Sequence, residues 1–241
     1  MIPIVLALET STPQGIIALG LSDGQILCSG PEISRQHACT LVPAIQKLLD
    51  TAGLKLDQVE AIAVGLGPGS FTGLRVGLTV AKTLSYATGA RLIGLPSLEV
   101  IACNLRNPLK RPVVVADAQR GEWYVARYQQ AGPEPTGRPI ATRPLSIEPV
   151  QRVIETLDPD EVLLGPSIDR LRSRAELPAG VAVCEPGRDY PEAEPLVRLA
   201  RVALLAGVFE NPMSLEPIYV RKSAAEEKAD QAVPETQPPG R

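Results

Sequence analysis

The turn Gly65-Leu66-Gly67-Pro68-Gly69-Ser70 constrains this chain more than any other segment. It joins an apolar run, Ala61 to Val64, to a helix-like run, Thr72 to Ala87. Three glycines and a proline in five residues make a tight reversal in which backbone can approach backbone, or a ligand, closely. A phosphate cradle is the obvious reading, and it fails in detail. The ATPase phosphate loop ends in Gly-Lys-Ser/Thr, whereas this chain reads Gly73-Leu74-Arg75. The dinucleotide fingerprint fails as well, because Ser70 stands at its third glycine position. A strand-to-helix turn built for packing is the expectation.

The flanking pattern supports that reading. Ile2 to Leu8 is a continuous apolar run of strand length, and Gly15 to Leu21 follows as a second strand. Asp23-Gly24 signals a hairpin into a third, Gln25 to Ser29. Ser34 is placed to cap a helix carrying Leu41, Ile45, Leu48 and Leu49, which ends by Gly53. Residues 61–65 read as a strand, 71–88 as a helix and 91–95 as a strand. This order predicts an α/β fold, a mixed sheet flanked by helices. A second lobe is expected over residues 108–221, after a first lobe over 1–107. In it a hairpin surrounds Gln119-Arg120-Gly121, helices cover 150–157, 167–175 and 196–208, and short strands cover 162–164 and 181–184. Residues 130–145, rich in Pro, Gly and Thr, read as an irregular connection. Residues 222–241 hold one Val and no Leu, Ile or aromatic residue, so they are expected to be disordered.

Bulk properties narrow the function classes. The 241-residue chain is 44% hydrophobic and 21% charged, with a net charge of −3 and a pI near 5.4. That balance disfavours autonomous binding to nucleic acid, which rests on clustered Lys and Arg. No apolar stretch approaches the roughly 20 residues of a membrane span, and the opening residues lack a signal peptide's basic region. Cys28, Cys39, Cys103 and Cys184 are scattered without C-x-x-C spacing, as in a reduced, cytoplasmic protein. His37 is the only histidine, which argues against a zinc site and leaves it a local hydrogen bond or a place in a contact surface. No cofactor or metal is expected.

The second predicted helix carries a different signal. Gly73, Gly77, Ala81 and Ser85 recur every four residues and align on one helix face as a shallow groove. A helical glycine costs about 1 kcal/mol against alanine, so close approach of another element must compensate. That element is either the chain's own sheet or first helix, or a partner. Leu74, Leu78 and Val80 exceed what one sheet-facing stripe needs, and Leu41, Val42, Ile45, Leu48 and Leu49 give the first helix a similarly wide apolar face.

Several separated motifs resemble the TsaB family of bacterial tRNA threonylcarbamoyladenosine synthesis. They are Leu8-Glu9-Thr10-Ser11-Thr12, Arg35-Gln36-His37, the Pro68–Gly77 turn, Gly94-Leu95-Pro96-Ser97-Leu98-Glu99, Asp117 to Tyr124 and Glu216 to Arg221. The resemblance implies the actin-like ATPase (ASKHA) fold and a non-catalytic subunit. In the paralogue TsaD a His-x-x-x-His pair binds a metal, and here the matching positions hold Ser97 and Ile101. Ser97 then reads as the N-cap of a helix running to about Arg106. Glu9 and Asp117 occupy the two turns that face phosphate in actin-like ATPases, and are the weak candidates for a nucleotide site. The resemblance further implies that the first two helices, through Leu41, Ile45, Leu48, Gly73, Leu74, Gly77, Leu78, Ala81 and Ser85, pair with TsaD or with a second copy. A TsaE-type ATPase would join, and tRNA would be reached only through that complex. The alternatives are a glycoprotease-type peptidase, which needs a metal pair or an activated nucleophile, and a sugar-kinase-like ATPase.

Overall fold

The computed structural model describes residues 2–29, 37–107, 109–130, 137–173 and 180–220. The predicted helix cap Ser34, the Arg35-Gln36 pair, the side chain of His37 and the tail 222–241 lie outside the described residues. Strands β1 (Val5–Glu9), β2 (Ile16–Gly20) and β3 (Ile26–Ser29) form an antiparallel meander. The β2–β3 hairpin closes where expected, with Gly24 at φ 92° and the Asp23 carboxylate accepting from Gln25 N. Helix α1 (His37–Ala52) then leads to β4 (Ala61–Gly65), α2 (Phe71–Thr88), β5 (Arg91–Leu95) and α3 (Ser97–Ala102). The first sheet runs β3-β2-β1-β4-β5, with β1, β4 and β5 parallel.

A second sheet is built from β6 (Arg111–Gln119), β7 (Glu122–Gln129), β8 (Ile140–Ala141), β9 (Ser146–Pro149) and β10 (Glu161–Leu164). Helices α4 (Val150–Glu155) and α5 (Pro166–Ser173) flank it, and α6 (Ala193–Leu205) follows. The segment read as irregular contains the short strand β8, and the strand expected over 181–184 is reduced to a single bridge, Leu163 to Val183. Across β6 the buried Arg127 of β7 pairs with Glu161 of β10 at 2.7 Å.

Strand alternation divides the core into four layers. Leu6, Leu8, Ile62 and Val64 face α1 and α2, while Val5, Ala7, Ala61 and Ala63 face α3 and α6. In the second sheet, Val114 and Ala116 meet Leu98 and Ile101 of α3, and Val113 and Val115 meet α4 and α5. Helix α3 is thus shared between the sheets. Helix α6, which follows the second sheet in sequence, covers the open face of the first with Leu196, Val197, Leu199 and Ala200.

Candidate functional site

The glycine turn is a packed junction. Gly67 sits at φ 89°, a region that favours glycine. The Ser97 hydroxyl accepts from Gly67 N at 2.9 Å, and Ser97 N donates to Gly67 O at 2.9 Å. Ser70 N donates to Ser11 O at 2.7 Å, and the Ser70 hydroxyl caps α2 by accepting from Gly73 N. Side chains at Gly65, Gly69 or Gly73 would run into the Glu9 carboxylate, Ser11 O and Thr10 O respectively. The turn therefore closes on the β1 turn, with no cradle left between them.

Ser97 does not cap α3. Pro96 is the N-cap, the helix ends at Ala102 well short of Arg106, and the Ser97 hydroxyl serves the glycine turn instead. Ile101 is buried in the layer against the second sheet. Among the described residues, no group of three His, Cys, Asp or Glu side chains is placed to share a metal ion.

Glu9 and Asp117 sit in different surroundings. Glu9 is fully buried, with Oε1 accepting from Ser11 N at 2.7 Å. Burial pushes its carboxyl above the ordinary value, against the pull of the nearby Ser11 and Ser97 groups. Its Oε2 and the Ser11 hydroxyl close no hydrogen bond. Asp117 is exposed, caps its own hairpin through Gln119 N at 2.7 Å, and pairs with Arg170. The cavity beside it, about 130 Å³, is smaller than the roughly 300–1,000 Å³ of ordinary ligand sites. Cys103 is no better placed for chemistry, since burial pushes its thiol up to about 11.

The raised Glu9 carboxyl has a measurable consequence. Its favourable protonation stabilises the fold below the unfolded value near 4.5, and that contribution is lost as pH rises through the folded value. Glu9→Gln keeps the acceptor for Ser11 N. It should melt above the parent at neutral pH and converge with it below about pH 4.5. Parallel melting curves across pH would contradict the assignment.

The small-residue face of α2 requires a correction. Gly73, Leu74, Gly77, Leu78, Ala81 and Ser85 are buried inside the chain, as are Leu41, Ile45 and Leu48 of α1. The Thr10 hydroxyl donates to Gly73 O at 2.8 Å, and a side chain at Gly77 would meet that same hydroxyl. The Ser85 hydroxyl donates to Ala90 O. The close approach that pays for the glycines comes from Thr10, in the turn after β1, and all nine residues are buried within the chain.

What α1 and α2 leave outside is different. Val42 is 51% exposed and Tyr86 82%. Thr79, Thr83 and Tyr86 follow one another at helical spacing, with Val76, Val80 and Leu84 half-buried beside them. At the start of α2, Arg75 lies over the Phe71 ring at 3.9 Å and donates from Nε to the Tyr219 hydroxyl. Sequence reasoning named Val42 and Val80 but missed Thr79, Thr83 and Tyr86, because it weighed glycine periodicity. An aromatic residue on the helix flank opposite the glycines was the available signal.

With this geometry in place, similarity to known proteins becomes specific. A family model described as TsaD, tRNA N6-adenosine threonylcarbamoyltransferase, matches residues 30–137. The TsaB protein of Escherichia coli is 34% identical over 128 residues, 52% of this chain and 55% of that protein. The chain thus spans about half the length of the curated relatives it matches. Two solved Pseudomonas aeruginosa chains, one described as YeaZ and one as an uncharacterized protein with similarity to peptidase YeaZ, are each 30% identical. They superpose with TM-scores of 0.76 and 0.77 over 90% and 91% of this chain and 100% of each of theirs. The chain belongs to the TsaB family. Its two mixed sheets flanked by helices are the actin-like ATPase (ASKHA) fold that the family resemblance implied. No helix among the described residues is long and apolar enough to cross a membrane.

Proposed function

We propose that this chain is a non-catalytic subunit in the formation of N6-threonylcarbamoyladenosine in tRNA. It pairs with a TsaD-type transferase, or in its absence with a second copy, through the outer strip of α1 and α2. A TsaE-type ATPase joins that assembly, and tRNA is reached through the partners. The observation that carries the reading is family membership, joined to buried Ser97 and Ile101 at the positions of the TsaD histidine pair. The peptidase alternative is poorly supported, because the Ser70 hydroxyl is engaged as a helix cap. A kinase-like site is disfavoured by the enclosed Glu9 carboxylate. Two lobes, 1–107 and 108–221, remain the proposed division, with α6 returning to the first.

The outer strip gives a direct test. Val42→Asp with Tyr86→Asp alters exposed side chains, so melting should stay within about 0.5 kcal/mol of the parent. Affinity for a purified TsaD-type partner should fall roughly thirtyfold or more, the scale of losing an interface hot spot. Titration calorimetry showing unchanged affinity in a folded double variant would remove this strip as the interface.

A further inference from the structure

Helix α2 carries cations and no anion: Arg75 and Lys82 are its only charged side chains, and its first turn holds no acidic residue. Arg75 is exposed, and its guanidinium is held from two sides. It lies over the Phe71 ring at 3.9 Å and donates from Nε to the Tyr219 hydroxyl at 3.3 Å. Neither contact is with a carboxylate, and Nη1 and Nη2 have no partner among the described residues. Surrounding charges do not balance this cation. On α1, Lys47 offsets Asp50, whose carboxylate accepts from Gln46. Glu216, three residues before Tyr219, is exposed and bonds neither Arg75 nor Lys82. Asp57 and Glu60 lie beside Thr88 at the far end of α2. At 1.5 Å per residue that end is roughly 20 Å from Arg75, well beyond a Debye length of about 8 Å.

Phe71 is 45% exposed and Tyr219 47%, with ring centroids 5.8 Å apart. A guanidinium already ordered beside two half-exposed rings loses little side-chain entropy on binding, as an interface anchor requires. Its open Nη edge matches the two oxygens of a carboxylate. We propose that Arg75 anchors the protein partner of the outer strip through an aspartate or glutamate of that partner, a contact that rests on the pairing proposed above and specifies the chemistry the partner must present. Apolar neighbours of that carboxylate cover Phe71 and Tyr219. Phe71, Arg75, Thr79, Thr83 and Tyr86 succeed one another at helical spacing, so anchor and strip form one surface. A second copy is the poorer occupant. Setting α2 against α2 brings only cations together, and the carboxylate of α1, Asp50, is engaged with Gln46. The charge therefore selects a different protein over self-association.

Titration calorimetry of the full chain with a purified TsaD-type partner, at low and at physiological salt, tests the contact. Arg75→Gln should weaken binding about tenfold and Arg75→Glu about a hundredfold. Arg75→Lys keeps the charge but not the fork, so it should fall between the parent and Arg75→Gln. The parent's affinity should drop as salt rises, and that of Arg75→Gln should drop less. A single Asp→Arg or Glu→Arg change in the partner should restore binding to Arg75→Glu and weaken binding to the parent. Arg75 is exposed, so circular dichroism should show all three variants folded. Parent-like affinity of Arg75→Glu would overturn the proposal. If Val42→Asp with Tyr86→Asp still weakens binding in that case, the strip remains the interface and only the carboxylate contact falls. Parent-like binding by both sets would remove the strip itself. Weakening that no charge reversal in the partner rescues would also overturn the proposal. Reduced self-association of Arg75→Glu with unchanged partner affinity would assign Arg75 to a second copy and overturn it too.

Discussion

Gly73→Ala should destabilise the chain by roughly 2–3 kcal/mol, although alanine is the better helix former by about 1 kcal/mol. The added carbon would collide with the carbonyl oxygen of Thr10, a backbone atom fixed within a buried turn. Relief requires α2 to move away from β1, breaking the bond from the Thr10 hydroxyl to Gly73 O. For a domain of this size the melting temperature should drop by about 4–12 °C. Gly77→Leu should act in the same direction, because its side chain meets the Thr10 hydroxyl. Thr10→Ala clears that hydroxyl, so it should partly rescue Gly77→Ala but leave Gly73→Ala destabilised, a difference that a double-mutant cycle reads directly. A fully stable Gly73→Ala protein that had lost only self-association would instead place this face at an intermolecular contact.

The same residues show where sequence reasoning stops. Spacing of four among Gly73, Gly77, Ala81 and Ser85 implied a close approach, but periodicity along a helix carries no information about what approaches. The answer lay with Thr10, 63 residues earlier than Gly73. The first-sheet elements were legible because their signals are local. Continuous apolar runs marked β1 and β4, Asp23-Gly24 marked the hairpin, and Gly89 at φ 76° ends α2 after Thr88. In the second half, local signals located α6 without naming its destination. Its apolar stripe fits either sheet, and only tertiary packing puts Leu196 and Leu199 against Ala7 and Ala63.

The candidate site was legible in part. The residues at the TsaD histidine positions could be read directly as Ser97 and Ile101. The work of Ser97 could not, because serine at the start of a helix usually caps it. Here Pro96 takes the cap position, and the hydroxyl is recruited by Gly67 across the junction. The polar and aromatic part of the outer strip went unseen for a related reason. Tyr86 has no repeat to announce it, and its meaning depends on being left 82% exposed on a helix whose other faces are filled.

The measurement closest to the central claim is the N6-threonylcarbamoyladenosine content of tRNA, read by mass spectrometry of nucleosides. It is made in a reaction containing unmodified tRNA, ATP, the threonylcarbamoyl-adenylate donor and TsaD-type and TsaE-type partners, with or without this chain. Omitting the chain should abolish the modified nucleoside, and the wild-type chain or His37→Ala should restore it, as expected of a subunit that supplies no catalytic group. Folded Val42→Asp/Tyr86→Asp protein should fail to restore it. Full modification without the chain, or full rescue by the Val42→Asp/Tyr86→Asp protein, would contradict a supporting subunit that works through the outer faces of α1 and α2.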